Sequence, residues 1–175
     1  FNKTSIPELI ASVKKGIFKV ADSQVATRWG NITDFKEFDL ITPNEKEARF
    51  SLADQDSSIS LLTRELVKYA KCKNLILKLG ERGLVSVINK GIQPKAITLP
   101  SFANNVVDST GTGDALLAYA TLSLISTKSL LTASILGSVA AARACENNGN
   151  IEIKPEQIVD KLNSIQRESS YKIQK

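Results

Sequence analysis

The sequence predicts an α/β protein with a mostly parallel sheet flanked by helices and a small β-meander. Three observations predict it. Short apolar segments of strand length alternate along the chain with longer segments of helical period. Several strand segments, Leu75–Leu79 among them, are apolar nearly throughout, as strands covered on both faces are. No internal repeat, low-complexity stretch or linker divides the 175 residues, so residues 1–165 read as one domain and 166–175 as a polar tail.

The elements follow in order. Ile6–Lys15 carries Ile6, Leu9, Ile10 and Val13 at helical spacing behind a Thr4/Ser5 cap candidate, and Gly16 ends it. Ile17–Ala21 is a short strand, and Phe38–Thr42 a second, stopped by Pro43. A helical stretch begins at Asn44 and runs through Phe50. Ile59–Cys72 is a helix with Leu62, Leu66 and Ala70 on one stripe. Leu75–Leu79, Leu84–Ile88 and Ile92–Leu99, separated by Gly-containing turns, form the meander. Ala115–Ser126 and Leu130–Asn147 are apolar helices, and Pro155–Ile165 is a final amphipathic one.

Composition removes several function classes. The chain has no histidine, which excludes His-based triads, His-ligated zinc and His general bases. Acid–base chemistry falls to carboxylates, lysines, tyrosines or the two cysteines. Cys72 and Cys145 form no CxxC pair and suit a reduced, cytoplasmic protein, although a single disulfide stays open at this point. The longest charge-free stretch, Ser129–Ala142, is 14 residues, short of the roughly 20 that span a bilayer, so no membrane role is expected. Lys+Arg 23 against Asp+Glu 18 gives a net charge of +5, scattered rather than blocked. Lys68, Lys71 and Lys73 read as a solvated helix face with a single aromatic, Tyr69, among them, so nucleotide or sugar phosphates are expected in preference to nucleic acid. The chain begins at Phe1 without any Met and reads as a fragment or a processed chain.

Four segments stand out. Asp108-Ser109-Thr110-Gly111-Thr112-Gly113-Asp114 directly precedes an apolar helix. Glycines at a helix start let successive amides face an anion, helped by the helix dipole. Asp114 beside such a site is either a proton acceptor or a carboxylate that simply favours a helix N-terminus. Asn44 three residues before Glu47 has the form of a capping box. Leu77–Gly83 is a strand followed by a Gly turn, and Asn147-Asn148-Gly149 a serviceable helix C-cap. No GxxxxGK[ST] occurs, and Leu116 stands where the third glycine of a dinucleotide fingerprint would be.

Taken together these segments resemble the ribokinase/PfkB carbohydrate kinases. DSTGTGD is similar to the family's D-T-x-G-A/T-G-D signature, with Ser109 for the usual Thr or Val. The resemblance implies that Asp114 is the catalytic base, that Gly111, Thr112 and Gly113 cradle the transferring phosphoryl group, and that Asp108 lies with the substrate. Thr42-Pro43-Asn44-Glu45-Lys46-Glu47 resembles T-P-N-x-x-E. It implies that Asn44, Glu45, Lys46 and Glu47 sit at the nucleotide, with Asn44 and Glu47 meeting Mg2+ through water; hard Mg2+ favours such oxygen donors. Leu77–Gly83 resembles the strand-turn T-L-G-x-x-G, which places Lys78, Gly80 and Gly83 at ATP, with Lys78 where Thr or Ser is commoner. Asn147 is the position implied near the adenine.

Within the family, Val20-Ala21-Asp22, Arg28-Trp29-Gly30, Phe35-Lys36 and Leu40–Asn44 look most like the heptose-phosphate kinases of lipopolysaccharide precursor synthesis. Ser23-Gln24 departs from their Pro-Lys, and Arg28 either meets a sugar phosphate or is a surface arginine. The resemblance runs from about Ile6 to Leu162 and covers only the C-terminal half of the family fold. It implies ATP, Mg2+ and a sugar or sugar phosphate as ligands, the missing N-terminal half as partner, and a homodimer in the intact protein. The rival reading is a non-catalytic nucleotide-binding remnant without a sugar site.

Overall fold

The apolar segments assemble into one five-stranded sheet whose spatial order follows chain order: β1 (Val20–Ala21), β2 (Leu40–Ile41), β3 (Asn74–Lys78), β4 (Leu84–Ile88) and β5 (Lys95–Leu99). β1 pairs with β2 and β2 with β3 in parallel, with Ala21 opposite Ile41 and Ile41 opposite Leu75. β3 and β4 are antiparallel, from Asn74 opposite Ile88 to Lys78 opposite Leu84. The sheet is therefore mixed, parallel at its β1 end and meandering at the other. The computed structural model describes residues 4–22, 31–89, 91 and 94–173.

These residues form two compact units. The first runs to Gly80 and resumes over Leu84–Thr98; the second is Glu81–Gly83 with the chain from Leu99 on. In the first, α1 (Ser5–Ser12), α2 (Glu45–Leu52) and α3 (Ile59–Ala70) accompany the sheet. Ser58 accepts the Leu61 amide at 3.2 Å and caps α3, which buries Leu62, Leu66, Val67 and Ala70. Those side chains join Ile41, Leu75, Leu77 and the edge-to-face pair Phe35 and Phe38 (centroids 5.4 Å apart) in one core. Asp39 is buried beneath it, accepting from the Lys19 amide at 2.8 Å and the Lys73 ammonium at 2.7 Å.

In the second unit α4 (Thr112–Thr127) and α5 (Leu130–Cys145) pack along their lengths, and α6 (Pro155–Ile173) adds Ile158 to a core with Val139 and Ala140. α4 is apolar on every side, so Leu122 and Ile125 stay exposed while Leu116, Ala120 and Leu124 are buried. The Tyr119 hydroxyl donates to the Ile153 carbonyl at 2.8 Å, fixing the segment that leads into α6.

Several boundaries differ from those the sequence predicts. α1 stops at Ser12, and Thr4 makes no side-chain capping bond. β1 and β2 shrink to two residues each, because the amides of Asp39 and Leu40 both turn to the Lys19 carbonyl, which interrupts a regular ladder. α3 ends at Ala70 because Lys71 takes a left-handed conformation, φ 51°. α6 continues through Ile173 instead of ending at Ile165, with Ser169 Oγ bonding back to the Ile165 carbonyl at 2.9 Å. Residues 92 and 93, assigned to the last strand by sequence, lie outside the described residues.

Candidate functional site

In the first unit, the C-terminal ends of the parallel strands bring four polar side chains together. Asn44 caps α2: its Oδ1 accepts the Glu47 amide at 2.8 Å, and Glu47 Oε2 accepts the Asn44 amide at 2.7 Å, a complete capping box. Asn44 also bridges Lys78 in parallel register, and the Lys78 amide reaches the Pro43 carbonyl at 2.9 Å. The Lys78 ammonium, at the end of β3, donates to Asp22 Oδ2 at 2.7 Å, beyond the end of β1. Both partners are largely enclosed, at 18% and 21% side-chain exposure, so the pair is shielded from salt. Burial pushes the Glu47 carboxyl up; the Asn44 amide and Lys78 pull it back, Asp22 adds to the rise, and the net shift is upward.

The same strand ends border a cavity of about 890 Å³ lined by Asn44, Lys46, Arg49, Phe50, Lys78 and Gly80, among others. Glu45 is held by Arg49 at 2.8 Å, one helical turn on, and Lys46 lies 6.0 Å over the Phe50 ring. Of the predicted nucleotide residues, Asn44, Glu47 and Lys78 thus share one polar cluster, while Glu45 and Lys46 are engaged along α2. Thr42, fully buried at the end of β2, has a hydroxyl without a partner among the described residues.

In the second unit, α4 begins inside the glycine loop rather than after it. Gly111, at φ 75°, is its N-cap, and Thr112, Gly113 and Asp114 form its first turn. A left-handed cap favours glycine. First-turn amides have no carbonyl partner within a helix; here the Thr112 amide donates to the Ser109 carbonyl of the preceding loop at 3.3 Å. Asp114 is exposed at the third helical position. The Thr112 hydroxyl is buried and unpartnered among the described residues. A buried hydroxyl at the mouth of a glycine loop suits an anionic ligand. Asp108 accepts from Thr110 at the start of this loop. Asn147 Nδ2 donates to the Arg143 carbonyl at 2.6 Å beyond the end of α5.

Gly83 also lies in this unit. At φ 87° a Cβ there would fall 2.1 Å from the Leu99 carbonyl oxygen and 2.5 Å from the Pro100 carbonyl carbon. That position is closed to any side chain. Gly80, in the first unit, has φ 63° and open space around it. Arg28, the predicted sugar-phosphate contact, lies outside the described residues.

Sequence reasoning missed three features: the Asp22–Lys78 pair, the Asp108 contact with Gly149, and the buried pair of Lys161 with Glu146. The last joins α6 to the end of α5, where Glu146 also accepts the Asn104 amide at 2.9 Å. Burial raises the Glu146 carboxyl, but the Asn104 amide, Lys161 and Arg143 together hold it below its usual 4.5. Its stabilising contribution is therefore present above pH 4.5 and lost as pH falls through the depressed folded value. Glu47 has the opposite sign, costing stability as pH rises past 4.5. Urea unfolding of Glu146→Gln should therefore trail the wild type near neutrality and converge on it under acid. A gap that persists on acidification would contradict this.

Both cysteines are free and buried, and burial pushes the Cys72 thiol up to about 12. Among the described residues no group of three or more Cys, Asp or Glu could hold a metal by itself, and no helix is long and apolar enough to cross a membrane.

Solved structures with this arrangement define a ribokinase-like fold. Phosphofructokinase-2 from Escherichia coli, in complex with potassium, superposes with a TM-score of 0.79 at 20% identity, over 95% of this chain and 53% of that one. Ribokinase from Arabidopsis thaliana, complexed with ribose and ATP, gives 0.77 at 22% identity, over 92% of this chain and 53% of that one. The profile of the pfkB family carbohydrate kinases matches residues 8–157, and the chain belongs to that family. Similar curated proteins include the bifunctional protein HldE of Nitrobacter winogradskyi, 34% identical over 112 residues, which covers 60% of this chain and 22% of that protein. HldE of Geobacter sulfurreducens is 26% identical over 163 residues, covering 91% of this chain and 32% of that protein. The chain thus spans a third or less of these relatives and about half of the matched structures.

Proposed function

We propose that residues 1–165 are the nucleotide-binding, catalytic-base half of a cytoplasmic carbohydrate kinase, which moves the terminal phosphoryl group of ATP to a sugar or sugar-phosphate hydroxyl. The observation that carries this reading is the start of α4: a left-handed Gly111 cap, two further residues with amides in the first turn, and Asp114 exposed beside them. Asp114 accepts the proton of the attacking hydroxyl as its oxygen bonds to the terminal phosphorus and the bond to ADP breaks. The Gly111–Gly113 amides hold the charge that gathers on the transferring group.

The donor set of the first unit suits Mg2+ held through water. Asn44 and Glu47 each spend an oxygen on the capping box, and among the described residues no group of three or more Cys, Asp or Glu forms a cage here. A cation that keeps most of its waters fits such a pair better than one needing a full protein cage. Bound there, Mg2+ would supply charge neutralisation between the phosphates. Lys78, already paired with Asp22, adds a cation where the hydroxyl of a Thr or Ser is commoner in the family. The acceptor we favour is a heptose 7-phosphate, on the resemblance of residues 20–44 to heptose-phosphate kinases. The remaining half of the fold would complete the sugar site and support a homodimer.

Calorimetry with Mg-ATP tests the reading, once circular dichroism shows each protein folded. The chain should bind saturably, and Asn44→Ala/Glu47→Ala should weaken binding about tenfold or more. Loss of the capping box alone costs only about 1–2 kcal/mol of stability, so the variant is expected to fold. A folded wild-type chain that binds no nucleotide would refer the site to the absent half or mark the chain as a remnant. Kinase activity should then not be assigned to it.

A further inference from the structure

The glycine loop before α4 is tied to the loop that follows α5, and the ties converge on one carboxylate. Asp108 Oδ1 accepts from the Thr110 amide at 2.9 Å and the Thr110 hydroxyl at 2.8 Å. Its Oδ2 accepts from the Gly149 amide at 3.0 Å, 41 residues further along the chain. Just upstream, the amides of Val107 and Asp108 both donate to the Cys145 carbonyl, at 2.8 and 3.1 Å. The Thr110 amide first, then the Thr110 hydroxyl and the Gly149 amide, hold the Asp108 carboxyl below its usual range. A second contact is independent of these bonds. A Cβ on Gly111 would lie 2.2 Å from Asn150 Oδ1 and 2.9 Å from Asn150 Cγ, so the Asn150 side chain rests against the cap of α4. All of these residues belong to the second unit.

We propose that Asp108 is a positioning residue: its carboxylate joins the anion-binding loop to the 147–150 loop, so that the Gly111–Gly113 amides hold the orientation that reads a terminal phosphate. This rests on the kinase reading above and deepens it. Both carboxylate oxygens already face protein donors, and a sugar hydroxyl would compete for the same lone pairs. A carboxylate takes three donors on two oxygens; an amide at this position keeps an acceptor for Thr110 but turns an NH2 toward the Gly149 amide. The two halves of the tie are therefore separable by substitution. With Asn150 against Gly111, a shift of the 147–150 loop must reach the anion-binding amides.

The test compares the wild-type chain with Asp108→Ala and Asp108→Asn, using amide hydrogen exchange together with calorimetry of Mg-ATP and of AMP. In Asp108→Ala, exchange should quicken in residues 109–113 and 148–150 together. Affinity for ATP should fall about tenfold, while affinity for AMP, which lacks the terminal phosphate, changes by less than about threefold. Asp108→Asn keeps the Thr110 bonds and loses the Gly149 one. Exchange should therefore stay quickened in 148–150 and, through Asn150 against Gly111, in 111–113, with ATP affinity still reduced. Full recovery of ATP affinity would show that the tie to the 147–150 loop does not position the amides. Should Asp108→Ala fail to fold, Thr110→Val removes one donor and should also weaken ATP selectively. Unchanged ATP binding, or equal losses for ATP and AMP, would overturn the positioning role and leave the kinase reading intact. A wild-type chain that binds neither nucleotide would defeat both.

Discussion

Asp114→Asn should lower kcat about 10²–10⁴-fold in an active preparation of the kinase while leaving the Mg-ATP dissociation constant within about threefold. The two quantities separate because Asp114 has two possible duties of very different size. As a carboxylate in the first turn of α4 it interacts with the helix dipole, worth only about 0.3–1 kcal/mol, and asparagine is itself tolerated there. As the acceptor of the hydroxyl proton it acts only while the phosphorus–oxygen bond forms, so its removal is felt in the transition state and not in nucleotide binding. Steady-state kinetics with a saturating acceptor, read beside calorimetry, check this. Parallel loss of kcat and binding would make Asp114 a support of the loop, and unchanged kcat would place the base elsewhere.

Gly83→Ala should cost about 3 kcal/mol of stability, whereas Gly80→Ala, three residues earlier in the same turn, should cost about 1 kcal/mol. Both have positive φ, 63° at Gly80 and 87° at Gly83, so both pay for a left-handed side chain. Only Gly83 adds a collision, and the atoms it meets, in Leu99, Pro100 and Ser101, are backbone that no rotamer change moves aside. Overpacking of this kind adds about 1–3 kcal/mol to the conformational cost. Urea midpoints at constant m-value would show the difference. Equal losses would mean that Leu99–Ser101 yields, and that the close approach has no energetic weight.

What was legible in the sequence was local. α3 announced itself through its stripe at Leu62, Leu66 and Ala70 and its length, and the structure moved its end by two residues. The capping box at Asn44 and Glu47 was legible for the same reason, because both bonds close within three residues. The start of α4 was misplaced by three residues because glycines read as loop, although a left-handed Gly111 suffices as a cap and releases Thr112 and Gly113 into the helix. The polar end of α6 was read as a tail because polarity says little about helix formation once Pro155 has started one. The long-range pairs were illegible for a different reason. Asp22 meets Lys78 across 56 residues and Asp108 meets Gly149 across 41, and no local spacing encodes either. Their partners are chosen by which strand or helix ends the fold sets side by side, and that is a property of packing rather than of sequence period.

The two thiols have a practical consequence for experiments on this molecule. With its pKa near 12, Cys72 presents a thiolate fraction of the order of one part in ten thousand or less at neutral pH, and burial raises Cys145 as well. Maleimides and iodoacetamides react through the thiolate, so both native sulfurs should be silent in the folded chain. A cysteine introduced at an exposed position, such as Leu122 on α4, would then be the sole labelling point without a cysteine-free background. The same silence supplies a clock for opening: labelling of Cys72 under native conditions would report how often the core around β3 exposes itself to solvent.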